Sequence, residues 1–73
     1  MTKFPERLRQ LREARGLSQA MVSKELKVSR YTVYSYEKGK TDPTLDSLVI
    51  LADYFDVTLD YLLGRSDVRK WEE

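Results

Sequence analysis

The sequence contains neither cysteine nor histidine. Their absence excludes disulfide bonds, the usual zinc sites and catalysis that relies on a Cys–His or Ser–His–Asp arrangement. The three glycines, at 16, 39 and 64, are typical of helix ends rather than of a phosphate-binding loop, and the carboxylates are scattered along the chain. We therefore expect no catalytic residue, no metal site and no cofactor, and a protein that is not an enzyme.

Long apolar runs are also missing. No stretch approaches the roughly 18 residues that a membrane-spanning helix needs, and the first six residues, Met-Thr-Lys-Phe-Pro-Glu, are not a signal peptide. With 73 residues, the chain is expected to form one domain, near the lower size limit for a core without cross-links. These features predict no membrane partner and favour a cytoplasmic location.

The net charge of +1 is small, but its distribution along the chain is uneven. Residues 1–40 hold ten Lys and Arg against four Glu, a net charge of +6. Residues 41–73 hold three Lys and Arg against eight Asp and Glu, a net charge of −5. This asymmetry is typical of a protein that presents one face to the phosphates of a nucleic acid and keeps the other face away from them.

The stretch 18–38 predicts two short helices separated by a three-residue turn. Ser18 is a good N-cap for the first helix, in which Val22 and Leu26 form an apolar i, i+4 pair. The turn at 27–29 interrupts this pattern, and Ser29 is the N-cap of the second helix. We expect that second helix to span 29–38, because a glycine follows it.

The helix predicted at 29–38 has two faces. Val33 and Tyr36 share one side, and the polar side chains on the other side lie within about a 140° arc; they are Arg30, Tyr31, Tyr34, Ser35 and Lys38. A helix of this kind is suited to the major groove of DNA, where guanidinium and hydroxyl groups bind base edges. The periodicity fits equally well with an ordinary amphipathic hairpin whose polar face is solvated.

The remaining residues predict three more helices and an all-α fold. Phe4 and Pro5 begin the first helix, and Thr44 and Thr58 are N-caps of the fourth and fifth. Five short helices with short loops predict a compact orthogonal bundle that contains a helix-turn-helix. The expected core residues are Leu8, Leu11, Leu17, Val22, Leu26, Val28, Val33, Tyr36, Leu45, Leu48, Leu51, Ala52, Phe55, Leu59, Leu62 and Leu63.

The expected domain covers residues 1–65. The tail at 66–73 carries one Trp and many charges, and it is the start of a linker, a partner-binding segment or a disordered end. Arg7 and Arg9, on the first helix, are expected on a solvated face.

Several short motifs resemble one known family. They are L-S-Q at 17–19, V-S-R at 28–30, Y-E at 36–37, D-P-T-L at 42–45 and Y-F-D-V-T-L-D-Y-L-L-G-R at 54–65. Together they are similar to the Cro/lambda-repressor-type (XRE-like) helix-turn-helix family, whose domain is a lambda-repressor-like five-helix bundle. Two positions depart from the family pattern: Lys27 replaces the usual Gly of the turn, and Ser23 replaces the usual Ala.

The resemblance implies binding of double-stranded DNA, in the cytoplasm of bacteria or by a phage protein. The residues that we expect to contact base edges are Arg30, Tyr31, Tyr34 and Ser35. Those expected to contact phosphates are Gln19, Thr32, Lys38, Lys40 and Thr41, although Thr32 lies at the edge of the arc and fits either group. The resemblance also pairs Arg12 with Glu37, as a structural ion pair rather than a DNA contact.

The leading interpretation is a sequence-specific transcriptional regulator, a repressor by its resemblance. The alternatives are a protein-interaction module, such as the antitoxin of a toxin–antitoxin pair, and the DNA-binding fragment of a larger regulator. A homodimer on a palindromic operator is expected, because one short helix contacts only a few base pairs. Ile50, Tyr54 and Tyr61 are the candidate dimer surface, although scattered exposed apolar residues are common in monomers.

Overall fold

The computed structural model describes residues 2–70, and within that range it contains five α-helices and no strand. The helices are α1 (Phe4–Ala14), α2 (Gln19–Leu26), α3 (Arg30–Glu37), α4 (Leu45–Phe55) and α5 (Leu59–Leu62). This arrangement confirms the all-α fold class. None of the helices in the described range is long and apolar enough to cross a membrane.

Four hydroxyl side chains define where α2 to α5 begin. Each N-cap oxygen accepts a hydrogen bond from the backbone N–H three residues later, which satisfies one of the N–H groups that a helix start leaves without a partner. The four caps are Ser18, Ser29, Thr44 and Thr58. All four were predicted, so the starts of these helices follow from local sequence.

Two helices end at a residue other than glycine in the left-handed conformation. Lys27 ends α2 with φ 57° and ψ 42°, and Asp56 ends α4 with φ 54° and ψ 50°. Lysine takes this conformation at a steric cost, whereas aspartate tolerates it better. Position 27 therefore has the left-handed conformation that glycine adopts readily, with a strained lysine in it.

The core lies between α3, which packs on α1 and α2, and α4 and α5, which pack on α2 and α1 and on each other, and most of the expected apolar residues are in it. The fully enclosed side chains include Leu8, Val22, Val33, Leu51 and Phe55. The buried apolar cluster also contains Phe4, Leu11, Leu26, Tyr36, Ala52 and Leu62. Leu17, Val28, Leu48 and Leu63 are only partly buried and pack against its outside.

Two leucines expected in the core are exposed instead. Leu45 has 81% of its surface exposed and Leu59 has 40%. Each occupies the first position of its helix, directly after the N-cap threonine. The first residue of a helix lies before the turns that pack on the core. The periodicity of the later residues therefore does not predict whether its side chain is buried.

The described part of the tail, residues 66–70, folds back onto the helices. The N–H of Thr58 donates to the carbonyl of Arg69 at 2.8 Å, and Lys70 lies 2.7 Å from the Asp56 carboxylate. Trp71 and the two residues after it lie outside the described residues. We call this set of contacts, together with those of Arg7 below, the C-terminal closure.

The prediction that Arg7 lies on a solvated face was wrong, whereas Arg9 is exposed as expected. Only 9% of Arg7 is exposed. Its guanidinium carbon lies 4.0 Å from the centre of the Tyr61 ring, and its Nη2 is 2.7 Å from the Oδ1 of Asp67. An aromatic face and a carboxylate together compensate for the buried charge, so Arg7 joins α1 to α5 and to the tail.

Candidate nucleic-acid interface

The helix α3 divides into a buried face and an exposed face. Val33 and Tyr36 are buried in the core, and the ring of Phe4 packs edge-to-face on Tyr36 with centroids 6.0 Å apart. On the other face, Arg30 is exposed and Tyr31 has 68% of its surface exposed. The first turn of α3 therefore presents a guanidinium and an aromatic ring to solvent.

Four of the residues expected to contact DNA form one cluster, the Tyr–Lys cluster. The rings of Tyr31 and Tyr34 are tilted by 31°, with centroids 5.9 Å apart. The ammonium groups of Lys38 and Lys40 lie 5.7 Å and 5.6 Å from the centre of the Tyr34 ring. The exposed face of α3 is thus continuous with the loop that follows the helix.

Ser35 does not belong to this face, which corrects the prediction that it contacts a base. Only 4% of its surface is exposed. The N–H of Lys40 donates to the carbonyl of Ser35 at 2.9 Å, so the loop after α3 folds back onto this residue. The helical arc counts positions around the axis alone and takes no account of the residues that pack against them.

The two threonines and Gln19, which were expected near phosphates, differ in their surroundings. Thr32 is half-buried, and its hydroxyl lies 2.9 Å from the Ser29 hydroxyl, within the N-cap of α3. Thr41 is exposed on the loop after α3. The Nε2 of Gln19 donates to the Oε1 of Glu37 at 3.2 Å, and its second hydrogen is left for another acceptor.

The Glu37 carboxylate joins three helices, and we call this group of contacts the α1–α3 junction. Arg12 donates from Nε to Oε2 at 2.6 Å and from Nη2 to Oε1 at 2.9 Å. Its Nη1 also donates to the carbonyl of Leu17 at 2.9 Å. The Arg12 and Glu37 side chains are 14% and 4% exposed, so the pair faces the protein interior rather than solvent.

The sequence did not reveal that Gln19 belongs to this junction. The hydrogen bond with Glu37 raises the pKa of Arg12 above its ordinary value, and burial acts in the opposite direction. Since the guanidinium stays charged, Glu37 keeps a cationic partner on α1 and a neutral amide donor on α2. The junction fixes the start of α2 relative to the end of α3.

The candidate dimer surface is smaller than expected. The Tyr61 ring lies against the guanidinium of Arg7, and the guanidinium of Arg69 is 5.4 Å from the centre of the same ring. Tyr61 is therefore part of the C-terminal closure. Tyr54 is half-buried and packs edge-to-face on Phe55, with centroids 5.1 Å apart. Of the three residues only Ile50 is exposed.

The comparison with known families identifies one match. The model of the helix-turn-helix family matches residues 8–62. A protein of Bacillus subtilis named as an uncharacterized HTH-type transcriptional regulator, YobD, is 40% identical over 64 residues, which cover 88% of this chain and 57% of YobD. The chain spans between a third and somewhat more than half of the length of the curated relatives that it matches first.

Solved structures place the same fold in proteins that regulate transcription. A transcriptional regulator from Listeria innocua has a TM-score of 0.87 and 32% identity, over 100% of this chain and 67% of the other. The P22 c2 repressor in complex with a synthetic operator has a TM-score of 0.80 and 28% identity, over 86% of this chain and 96% of the repressor chain. With α2 and α3 as the two helices of the motif, this chain belongs to the Cro/lambda-repressor-type helix-turn-helix family.

Proposed function

We propose that the chain is a sequence-specific DNA-binding transcriptional regulator that places α3 in the major groove. The observation that carries this proposal is the first turn of α3, where Arg30 and Tyr31 extend from a helix whose opposite face is anchored in the core. In helix-turn-helix proteins the N-terminal residues of the second helix contact base edges. The likeness to a repressor solved with its operator supports the same orientation here.

Arg30 is the residue that we assign to base recognition. Within residues 2–70 its guanidinium makes no ion pair. A guanidinium can donate two parallel hydrogen bonds to the O6 and N7 of guanine, and such a contact discriminates against other bases by about 1–3 kcal/mol. This leaves Arg30 available for DNA, in contrast to Arg12, which is engaged with Glu37.

Phosphate binding is assigned to residues on both sides of that first turn. Lys38, Lys40 and Thr41 are exposed at the end of α3 and on the loop after it. Gln19 lies at the start of α2, where the N–H groups of the helix end favour an anion. The net charge of +6 on residues 1–40 supports a phosphate partner on this side of the chain.

The assignments of Arg30 and Lys40 are tested by two alanine variants. The preferred duplex is first selected from random duplexes with the purified protein, and binding is then measured over a salt series on matched and single-mismatch duplexes. Arg30→Ala should remove the preference at one base position in each half-site, at a cost of about 1–3 kcal/mol. Lys40→Ala should weaken all duplexes equally and reduce the salt slope by about one unit.

The matched control for Arg30→Ala is Arg9→Ala, which removes an exposed arginine of α1. We expect this control to keep the base preference of the unmodified protein. If Arg30→Ala weakened binding to every duplex equally, Arg30 would be assigned to phosphate contacts rather than to base recognition. Failure of the selection to enrich any duplex would reject sequence-specific binding itself.

A homodimer on a palindromic operator is the finer part of the proposal. One short recognition helix contacts few base pairs, and two half-sites about 34 Å apart supply the missing specificity. Ile50, exposed on α4, remains the candidate contact between the two copies. The mass of the protein–DNA complex and a footprint on a palindromic duplex test this, because a monomer that protects one half-site would contradict it.

The chain also fits the DNA-binding part of a longer regulator. The curated relatives that it matches extend well beyond the aligned region. In such a protein the remaining residues would sense a signal or hold the dimer together, while α3 would still recognise the operator. The activity would take place in the bacterial cytoplasm, where the DNA lies, and we assign no chemical reaction to the chain.

A further inference from the structure

The Tyr–Lys cluster has a geometry that neither a base-edge hydrogen bond nor a phosphate contact requires. Tyr31 and Tyr34 are three residues apart, so both lie on the exposed face of α3. Their rings are tilted by 31° with centroids 5.9 Å apart, and Tyr31 is 68% exposed while Tyr34 is half-buried. The two rings thus form a single aromatic surface in the first turns of the helix.

Tyr34 is held in place by cations. The ammonium groups of Lys38 and Lys40 both lie within 6 Å of the centre of its ring. A lysine over an aromatic face is attracted by the negative charge of the π-electrons. Two such contacts restrain the ring, so that loss of Lys40 leaves Lys38 in place, and the ring in turn supports Tyr31 from one side. Tyr34 therefore acts as a positioning residue for Tyr31.

We propose that Tyr31, supported by Tyr34, recognises the C5-methyl group of a pyrimidine in the major groove. The ligand class is a 5-methylpyrimidine, which is thymine or 5-methylcytosine. This inference rests on the proposed placement of α3 in the major groove, where the thymine methyl is the only apolar group that a base pair presents. An exposed aromatic ring loses contact with water when it covers a methyl group, and polar side chains do not gain from such a contact.

The first experiment changes the methyl group alone. In the selected duplex each thymine is replaced in turn by deoxyuridine, which keeps base pairing and lacks only the methyl. At the position under Tyr31 the affinity should fall about fourfold, the value expected for one buried methyl group. At the same position a 5-methylcytosine–guanine pair should be bound about fourfold more tightly than an unmodified cytosine–guanine pair.

The second experiment assigns the effect to the two rings. Tyr31→Ala should bind the thymine and deoxyuridine duplexes equally, and Tyr31→Phe should keep the fourfold difference because the ring is retained. Tyr34→Phe should also keep the fourfold difference, because the supporting ring is retained. Tyr34→Leu should reduce this difference, because Tyr31 is present but has lost the ring beside it. Melting temperatures identify any variant that fails to fold, and the exposed position of Tyr31 makes its variants the decisive ones.

The outcomes separate this inference from the proposed function. Sequence-specific binding without any methyl-dependent position would overturn the inference and leave the regulator intact. A methyl effect that persists in Tyr31→Ala would assign it to another residue and would also overturn the inference. Weakening of all duplexes by Tyr31→Phe, with the methyl effect absent, would assign the Tyr31 hydroxyl to a phosphate instead. Absence of any selected duplex would reject both proposals.

Discussion

The α1–α3 junction and the C-terminal closure are both built around an arginine of α1, but the two arginines have different partners. Arg12 meets Glu37, whose side chain is 4% exposed, through two hydrogen bonds. Arg7 meets Asp67, whose side chain is 96% exposed, through one close contact. Its other partners are the Tyr61 ring and the Ser66 carbonyl, 3.5 Å from Nη1. A buried partner cannot be replaced by water, so the junction depends on its carboxylate far more than the closure does.

The two regions also differ in what they hold in place. The junction joins α1 and α2 to the end of α3, so it fixes the helix that we propose to enter the groove. The closure joins the tail to α1 and α5 and shares no residue with the Tyr–Lys cluster. Disturbing the first should affect stability strongly, and disturbing the second should affect it moderately, with the base preference of the folded protein unchanged in both cases.

The largest effect is expected for Glu37→Gln. This change leaves the Arg12 guanidinium buried with the Leu17 carbonyl and a neutral amide, at a cost of about 3 kcal/mol. For a domain of this size the melting temperature, measured by circular dichroism, should fall by more than about 10 °C. The control is Glu25→Gln on the exposed side of α2, which should change it little. An unchanged melting temperature in Glu37→Gln would remove the distinction between the two regions.

Removal of residues 66–73 should have the next largest effect. The Thr58 N–H then loses the Arg69 carbonyl and Arg7 loses Asp67, which together are worth about 1–2 kcal/mol. The matched control is a chain that ends at Lys70 and keeps every described contact. If the chain that ends at residue 65 and the chain that ends at Lys70 had the same melting temperature, the closure would contribute nothing to stability and the domain would end at residue 65.

The helices were predictable because their signals are local. A hydroxyl before an apolar i, i+4 pattern marks a helix start regardless of the rest of the chain, and Ser18, Ser29, Thr44 and Thr58 all follow this rule. The position of the exposed turn of α3 followed from the same periodicity. Asp56 carried no such signal, because aspartate is found in many conformations at the end of a helix.

The details of the candidate site were less predictable because they depend on distant residues. Ser35 is buried, although its place in the helical arc predicted exposure, and the loop after α3 returns to its carbonyl. Arg7 lies under the Tyr61 ring, and its ion-pair partner Asp67 is sixty positions along the chain. The packing of Lys38 and Lys40 around Tyr34 likewise required the path of the loop after α3.

A smaller effect, and of opposite sign, is expected at the two left-handed residues that end α2 and α4. Lys27→Gly relieves the steric cost of φ 57° and should stabilise the protein by up to about 1 kcal/mol, less the larger entropy of the unfolded chain. Asp56→Gly should gain less, because aspartate tolerates this conformation and its contact with Lys70 is lost. Denaturant unfolding of both variants measures the difference. A larger gain for Asp56→Gly would show that the strain lies in the closure instead.

The smallest effect is expected for Lys70→Met, and it should disappear in acid. The hydrogen bond and the charge of Lys70 lower the pKa of Asp56 below its ordinary value. A lowered pKa in the folded state contributes stability above about pH 4, and this contribution is lost as the pH falls through the lowered value. Lys70→Met removes the cause, so the variant should melt slightly below the unmodified protein from pH 7 down to about pH 4, and the two melting temperatures should converge at lower pH, where Asp56 is protonated in both. The difference should be small because both groups are largely exposed. Melting temperatures from pH 7 to pH 2, at low and high salt, measure the shift, with Lys24→Met on α2 as the control. Since salt screens exposed charges, the difference should shrink at high salt, and a difference that salt leaves unchanged would show that Lys70 acts by packing rather than by its charge.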